Sequence, residues 1–298
     1  MKVTSWNVEH LDRLLGNNLT PVEEDRRDAV IEEIQRLNAD ILCILEGPKG
    51  EVAIDRVSTE LLNGDWVPVK ASDGYYNIRG RQWIWFLVKP KYFTKCSLLP
   101  VSTYDAFAGS KWPVNLWGQF EVKDHTHYRH PQVLILEIDG QRIEFIGLHL
   151  KSKYVNRGRS NWNAGGDKKQ KFIREALTAR IKLTTEAANV RNYINEKFSQ
   201  VPNPAIFVLG DLNDGPGKEY FERQYLFFDL ISNIQGSIFE ANKFLNHALF
   251  DFPDELRWSV KFKDFIEPNR NPHILLDHIL FTQGLSNGSL PFEIKPGA

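Results

Sequence analysis

Short apolar runs that stop abruptly at a polar residue constrain this chain more than any other feature of its sequence. "VTSW" runs into Asn7, "ILCIL" into Glu46, "FIGL" into His149 and "IFVLG" into Asp211, with Asn213 two residues further on. A fifth run, "HILLDHILF", carries Asp277 and His278 within it. Runs of this length, apolar at successive positions rather than at every second one, are what strands buried on both faces look like. Polar groups placed where such strands stop are held rigidly yet stay accessible to solvent, which is how layered folds position their chemistry.

Helices separate these strands. Thr20 serves as N-cap, Pro21 takes the first helical position and Glu23 completes a capping box, after which Val30, Ile34 and Leu37 give one apolar face. "DRVSTELLNG" reads as a short helix closed by Gly64, and "WVPVK" and "QWIWFLV" as strands. "QVLILEI" and "RIEFIGLHL" flank Asp139-Gly140, two residues that tolerate positive φ, so they predict a hairpin ending at His149. Phe172, Ala176, Ala179, Leu183, Ala187, Val190, Ile194 and Phe198 recur every three or four positions and predict a long helix from about 168 to 198. A short helix near 218–224 and strands at 258–262 and 273–281 complete the reading. No repeat, low-complexity linker or break in composition divides the chain. The pattern predicts one α/β domain over residues 1–298, a four-layer sandwich of two packed mixed sheets flanked by helices.

With 42% hydrophobic residues, 19 Phe and 8 Trp in 298 positions, the chain has material for a large core. Its formal net charge of −1 excludes a uniformly basic nucleic-acid-coating protein but permits a local positive patch. Two cysteines, Cys43 and Cys96, make neither a disulfide framework nor a zinc site. With no secretory leader after Met1 and no apolar run near the ~18 residues that a membrane span needs, the expectation is a soluble, cytoplasmic protein.

The residue types at the strand ends suit one kind of chemistry. Two carboxylates with amide oxygens and no thiolate form a hard-oxygen set for magnesium, or for manganese, with Glu46 as the main ligand helped by Asp211 or Asn7. A histidine near such an ion can donate to a phosphoryl oxygen as negative charge grows on it. These are the parts of a metal-assisted phosphate-ester hydrolase. Weighed against this, Asp211 and Asn213 have the chemistry of helix caps, and His149 taken alone reads as an ordinary core histidine.

"SWNVEH", "ILEGP", "GLHLKSK", "GDLND" and "LLDHILF" occur here in an order that resembles the endonuclease/exonuclease/phosphatase superfamily, from residue 1 to about 283. The resemblance implies a role for each position. Asn7 would orient the metal and the scissile phosphate, and Glu46 would be the principal magnesium ligand. His149 would stabilise the transition state, Asp211 would orient or deprotonate the attacking water, and Asn213 would hold the phosphate. One departure stands out. The family normally ends in a strand beginning Ser-Asp-His, whereas Asp277-His278 in "LLDHILF" looks like the preceding strand, whose aspartate orients that final histidine; either the last strand is missing or "LDH" is its degenerate version.

Beyond His149, residues 151–174 carry eight basic side chains against Asp167 alone, with Tyr154 and Trp162 interleaved. Lys151, Lys153, Arg157, Arg159 and Trp162 are therefore expected to contact substrate from a mobile loop, the cations neutralising phosphates and the ring stacking a base. "YYNIRGRQW" at 75–83 reads as a second such wall. His125, His127 and His130 in "DHTHYRH" read as solvated loop residues without metal-ligand spacing. The functional expectation is a magnesium-dependent phosphodiesterase, foremost a nuclease with nucleic acid as its substrate. The alternatives are an enzyme for small phosphorylated molecules or lipid headgroups, and a binding module that keeps the fold without the chemistry.

Overall fold

The computed structural model describes residues 1–70, 82–116, 122–217, 219–226 and 229–295. By its internal contacts the chain divides into two compact units that interleave along the sequence: Met1–Ala106, Tyr128–His149 and Ala205–Asp211 form the first, and the remainder forms the second.

The strands, in chain order, are β1 (Val3–Asn7), β2 (Ile41–Gly47), β3 (Val67–Pro68), β4 (Trp83–Val88), β5 (Cys96–Leu98), β6 (Trp112–Asn115) and β7 (Val122–His125). They continue as β8 (Gln132–Ile138), β9 (Gln141–His149), β10 (Ala205–Asp211), β11 (Leu245–His247), β12 (Val260–Lys261), β13 (His273–Ile274) and β14 (Asp277–Thr282). In the first unit one sheet runs β1-β2-β4-β3 and the other contains β5, β8, β9 and β10 in the order β10-β9-β8-β5. Both are mixed: β1 lies parallel to β2 and β10 parallel to β9, while the other pairings are antiparallel. The expected class, a mixed α/β protein with two mixed sheets and flanking helices, is what the structure shows.

The two sheets of the first unit meet face to face through residues such as Ile84, Phe86 and Phe145, none more than 2% exposed. Burying each contributes about 1.5–3 kcal/mol. They approach closely at Gly147, where an added Cβ would lie 2.9 Å from Cys43 Sγ and 3.0 Å from Ile84 Cγ2. All seven residues of β2 are buried, as its unbroken apolar run requires. The Pro21–Leu37 helix starts with the expected capping box, Thr20 and Glu23 each satisfying the other's backbone N–H. The β8–β9 hairpin turns at Asp139-Gly140 with φ of 50° and 72°.

In the second unit the Gly166–Gln200 helix buries Phe172, Ala176, Ala179, Leu183, Ala187, Val190, Ile194 and Phe198, the stripe seen in the sequence. Three expectations are corrected here. The segment read as a mobile loop contains a helix, Gly158–Ala164, whose Gly158 and Trp162 pack around Phe172. The run at 273–281 is broken, because Leu276 N and Asp277 N both donate to Ser259 Oγ and the Leu275 carbonyl passes 2.2 Å from where Gly215 would carry a Cβ. His127 is not solvated: it is 1% exposed, with Nε2 2.9 Å from Asn189 Oδ1, because the helix brings Asn189 and Glu186 under the β7 end. The segment at 75–81 lies outside the described residues.

Candidate active site

β9 and β10 run parallel and in register so that Asp211 pairs directly with His149. The ladder can close this tightly because position 210 is glycine: its φ is +133°, and a Cβ there would sit 2.0 Å from the Leu148 carbonyl oxygen. His149 Nε2 consequently lies 3.5 Å from Asp211 Oδ2 and 3.9 Å from Glu46 Oε1. β1 brings the fourth group, with Asn7 Nδ2 donating to Asp211 Oδ2 at 3.1 Å. Four residues separated by as many as 204 positions thus converge within the first unit.

Glu46 sits at an irregularity in β2, where the pairing with β4 shifts register between Ile44 and Gly47 and the backbone of Glu46 turns to φ 56°. A non-glycine residue held left-handed inside a strand costs on the order of 1–3 kcal/mol, and such strain gathers where a side chain must be aimed. The loop after Asn7 is shaped the same way, with Glu9 and His10 at φ 49° and 59°. Arg26 clamps it by donating to the carbonyls of Val8 and Glu9, and Glu9 N donates to Asn7 Oδ1. These contacts fix the Asn7 amide so that its NH2 faces Asp211.

Each carboxylate is only 8% exposed. Glu46 Oε2 accepts from His10 N at 3.2 Å and from Gln82 Nε2 at 2.6 Å, and Gln82 in turn accepts from Arg129 Nε. Glu46 Oε1 accepts no hydrogen bond among the described residues, and no Lys or Arg there pairs with this carboxylate. A nearly buried carboxylate oxygen without a donor is expensive unless a cation or water meets it. Burial, reinforced by the positive Arg129, pushes the His149 pKa down to about 2, so its imidazole is neutral. Its Nδ1 is buried without a hydrogen-bond partner among the described residues. With Nε2 facing two carboxylates, the ring proton belongs on Nε2.

Among the described residues no three His, Cys, Asp or Glu side chains form a ready-made metal cage. Two carboxylates with an amide oxygen are a hard-oxygen donor set, which suits a small cation that keeps several waters and takes only one or two protein carboxylates. The donor set therefore fits magnesium or manganese and not a zinc-type site.

The other residues singled out in the sequence belong to the second unit. Asn213 is left-handed, with φ 52°, and donates to the Leu150 carbonyl at 2.9 Å. His278 is 2% exposed, bonded through Nε2 to the Asp214 carbonyl and through Nδ1 to His247 Nε2. Burial depresses both imidazoles, His278 to about 3 and His247 to about 4, so neither is charged. Burial raises the pKa of Asp277 against the opposing Ser259 bond. Lys153 is ion-paired with Asp214 and Glu222. Trp162 is packed edge-on against Phe172, Tyr220 and Phe221, with Lys169 Nζ 3.9 Å above its ring. Lys151 donates its backbone N–H to Glu186 and its Nζ to the Ser152 carbonyl, while Arg157 and Arg159 remain exposed. Sequence reasoning missed His10, Gln82 and Arg129. His10, in "SWNVEH", was within reach of it; Gln82 and Arg129 lie in "YYNIRGRQW" and "DHTHYRH", but nothing in those stretches marks these two side chains.

The family model described as the Endonuclease/Exonuclease/phosphatase family matches residues 4–297. The chain belongs to this family. Its members are phosphoesterase hydrolases that typically use divalent metals. Among curated protein sequences none matches significantly. Of solved structures, truncated TDP2 from Caenorhabditis elegans is 15% identical, with 94% of this chain and 83% of that one covered at a TM-score of 0.47. The human Nocturnin catalytic domain with bound sulfate is 15% identical, covering 96% and 83% at 0.46. ANGEL2, a 2',3'-cyclic phosphatase, is 17% identical, covering 96% and 84% at 0.45. Likenesses this remote say nothing about substrate, and membership rests on the family model. No described helix is long and apolar enough to cross a membrane.

Proposed function

We propose that Asn7, Glu46, His149 and Asp211 form the centre of a divalent-metal-dependent phosphodiester hydrolase, and that the protein is a nuclease. The observation that carries the proposal is the approach of His149 Nε2 to both Asp211 Oδ2 and Glu46 Oε1, at 3.5 and 3.9 Å, from three different strands. Glu46 Oε1, Asp211 and the second lone pair of the Asn7 amide oxygen would hold magnesium or manganese, which when bound supplies Lewis-acid polarisation and charge neutralisation at the phosphate.

The chain's own groups divide the remaining work. Asp211 orients an attacking water and accepts its proton. Asn7, tied to Asp211 Oδ2, fixes the face that this carboxylate presents. His149, kept neutral, offers an N–H to a phosphoryl oxygen as charge accumulates there. Asp277 and His278 act at a remove: His278 holds the Asp214 carbonyl and so sets the turn that follows Asp211.

The test is hydrolysis of plasmid DNA and of a small chromogenic phosphodiester with magnesium, comparing wild type with Glu46→Gln and Asp211→Asn. Each variant should lose roughly 10²–10³-fold or more, and the double variant little beyond that, because groups acting as a unit fail together. Equal activity in all the proteins would remove this site. Cleavage of the small diester without cleavage of DNA would turn the reading toward small phosphorylated molecules.

A further inference from the structure

The second unit contains two adjoining depressions that share Tyr154 and Val155 in their linings. The larger, of about 790 Å³, is walled by Phe172, Tyr220, Phe221, Phe262 and Phe265. That volume is in the range of sites that enclose small ligands. Arg157, Arg159 and Arg270 also line it, together with the carboxylates Asp214, Glu219 and Asp264; Arg270 acts on Glu219, while Arg157 and Arg159 are exposed and have no ion-pair partner among the described residues. Arg159 lies 5.9 Å from the Phe265 ring centroid, and Phe262 stands half exposed at 51%. The smaller depression, of about 650 Å³, is lined by Lys151, Lys171, Arg174 and Lys182 against a single carboxylate, Glu175, which is 3.9 Å from Lys171. Tyr154, on the lining common to both, is 75% exposed.

The two chemistries are complementary to the two halves of a nucleotide. Aromatic faces with exposed guanidiniums beside them accept a planar base, and a positive groove accepts the phosphates on either side of it. A base inside a duplex has its faces covered by its neighbours and its edge by its partner, so only an unpaired base can enter such a cavity. We infer that these depressions bind single-stranded nucleic acid, with one base in the aromatic cavity and the adjacent phosphates against Arg157 and the Lys171–Arg174–Lys182 groove. The inference rests on the phosphodiesterase reading and names its substrate class: a strand with an unpaired base, not a duplex.

Binding is measured in EDTA by fluorescence anisotropy, using a short labelled single strand, the same sequence as a hairpin duplex, the strand with abasic residues, and a mononucleotide as competitor. The base-bearing strand should bind roughly tenfold or more tightly than duplex or abasic strand, and Phe262→Ala should remove most of that advantage while leaving abasic binding unchanged. Lys171→Ala with Arg174→Ala should weaken base-bearing and abasic strands alike and flatten the salt dependence by about two units of slope. Duplex bound as tightly as single strand, an equal effect of Phe262→Ala on abasic strand, or a mononucleotide competing as well as the strand would each overturn the inference. Hydrolysis of the small diester by Phe262→Ala separates the two proposals: strand binding with no hydrolysis in any form of the protein leaves this surface standing and removes the metal centre.

Discussion

Glu46 in the first unit and Asp214 in the second are almost equally withdrawn from solvent, at 8% and 4% exposed, yet they keep different company. Asp214 belongs to a closed ionic group in which Lys153 meets Asp214, Glu219 and Glu222, and Arg180 meets Glu219. Burial works against the Lys153 charge, but its three carboxylates outweigh that and raise its pKa. Glu219 is likewise lowered, because Arg180 and Lys153 overcome its desolvation. Glu46 is surrounded instead by a backbone N–H, a glutamine amide, the His10 ring at 3.7 Å and the neutral His149 at 3.9 Å. Buried carboxylates with cations around them are a finished structural device. A buried carboxylate with neutral donors on one oxygen and none on the other is prepared for a charge from outside.

The contrast is sharpest in the response to losing a partner. Lys153→Met strands three carboxylates beside Arg180 and should cost about 3–5 kcal/mol in urea unfolding. Glu46→Gln removes a charge that no described Lys or Arg pairs with directly, and should fall within about 1 kcal/mol of wild type or stabilise, as is common where function opposes stability. Equal losses in the two variants would erase the distinction.

A pH series tests the second unit's side. Burial raises Asp214 from 3.8 to about 6, in spite of Lys153, so the folded state favours its protonated form. Its contribution to stability is therefore complete below about pH 4 and lost as the pH climbs through about 6. Wild type should become progressively less stable relative to Asp214→Asn across that window, by about 3 kcal/mol, as read from urea midpoints at each pH. A constant difference would show that the ion pairs already neutralise this group's titration.

Magnesium tests the first unit's side and has the smallest expected effect. At ten times its dissociation constant the ion should stabilise wild type by about 1.4 kcal/mol, visible as a rise of a few degrees in Tm, and should leave Glu46→Ala unmoved. A rise of the same size in Glu46→Ala would place magnesium elsewhere.

The sequence announced the scaffold better than its surroundings, for physical reasons. A strand buried on both faces must be apolar throughout, so β2, β9 and β10 and the polar residues at their ends could be read directly. Capping and turn chemistry are local, which is why Thr20–Glu23 and Asp139-Gly140 could be placed. What stayed hidden depended on distant partners. Lys153 reads as a solvated cation until Asp214 and Glu222, 61 and 69 residues away, fold beside it. His127 reads as a loop residue until the long helix brings Asn189 to it, 62 positions on. Gln82 and Arg129, which orient Glu46, have no motif because nothing in their own neighbourhoods needs them there.

The missing side chain at position 210 has a wider consequence. Because bare backbone lets two parallel strands lie this close, the gap between carboxylate and imidazole is inherited from the ordinary pitch of a ladder and does not depend on the loops around it. A scaffold organised in that way can exchange its rims freely and so change what it recognises, while its reactive geometry stays anchored by a single hydrogen atom.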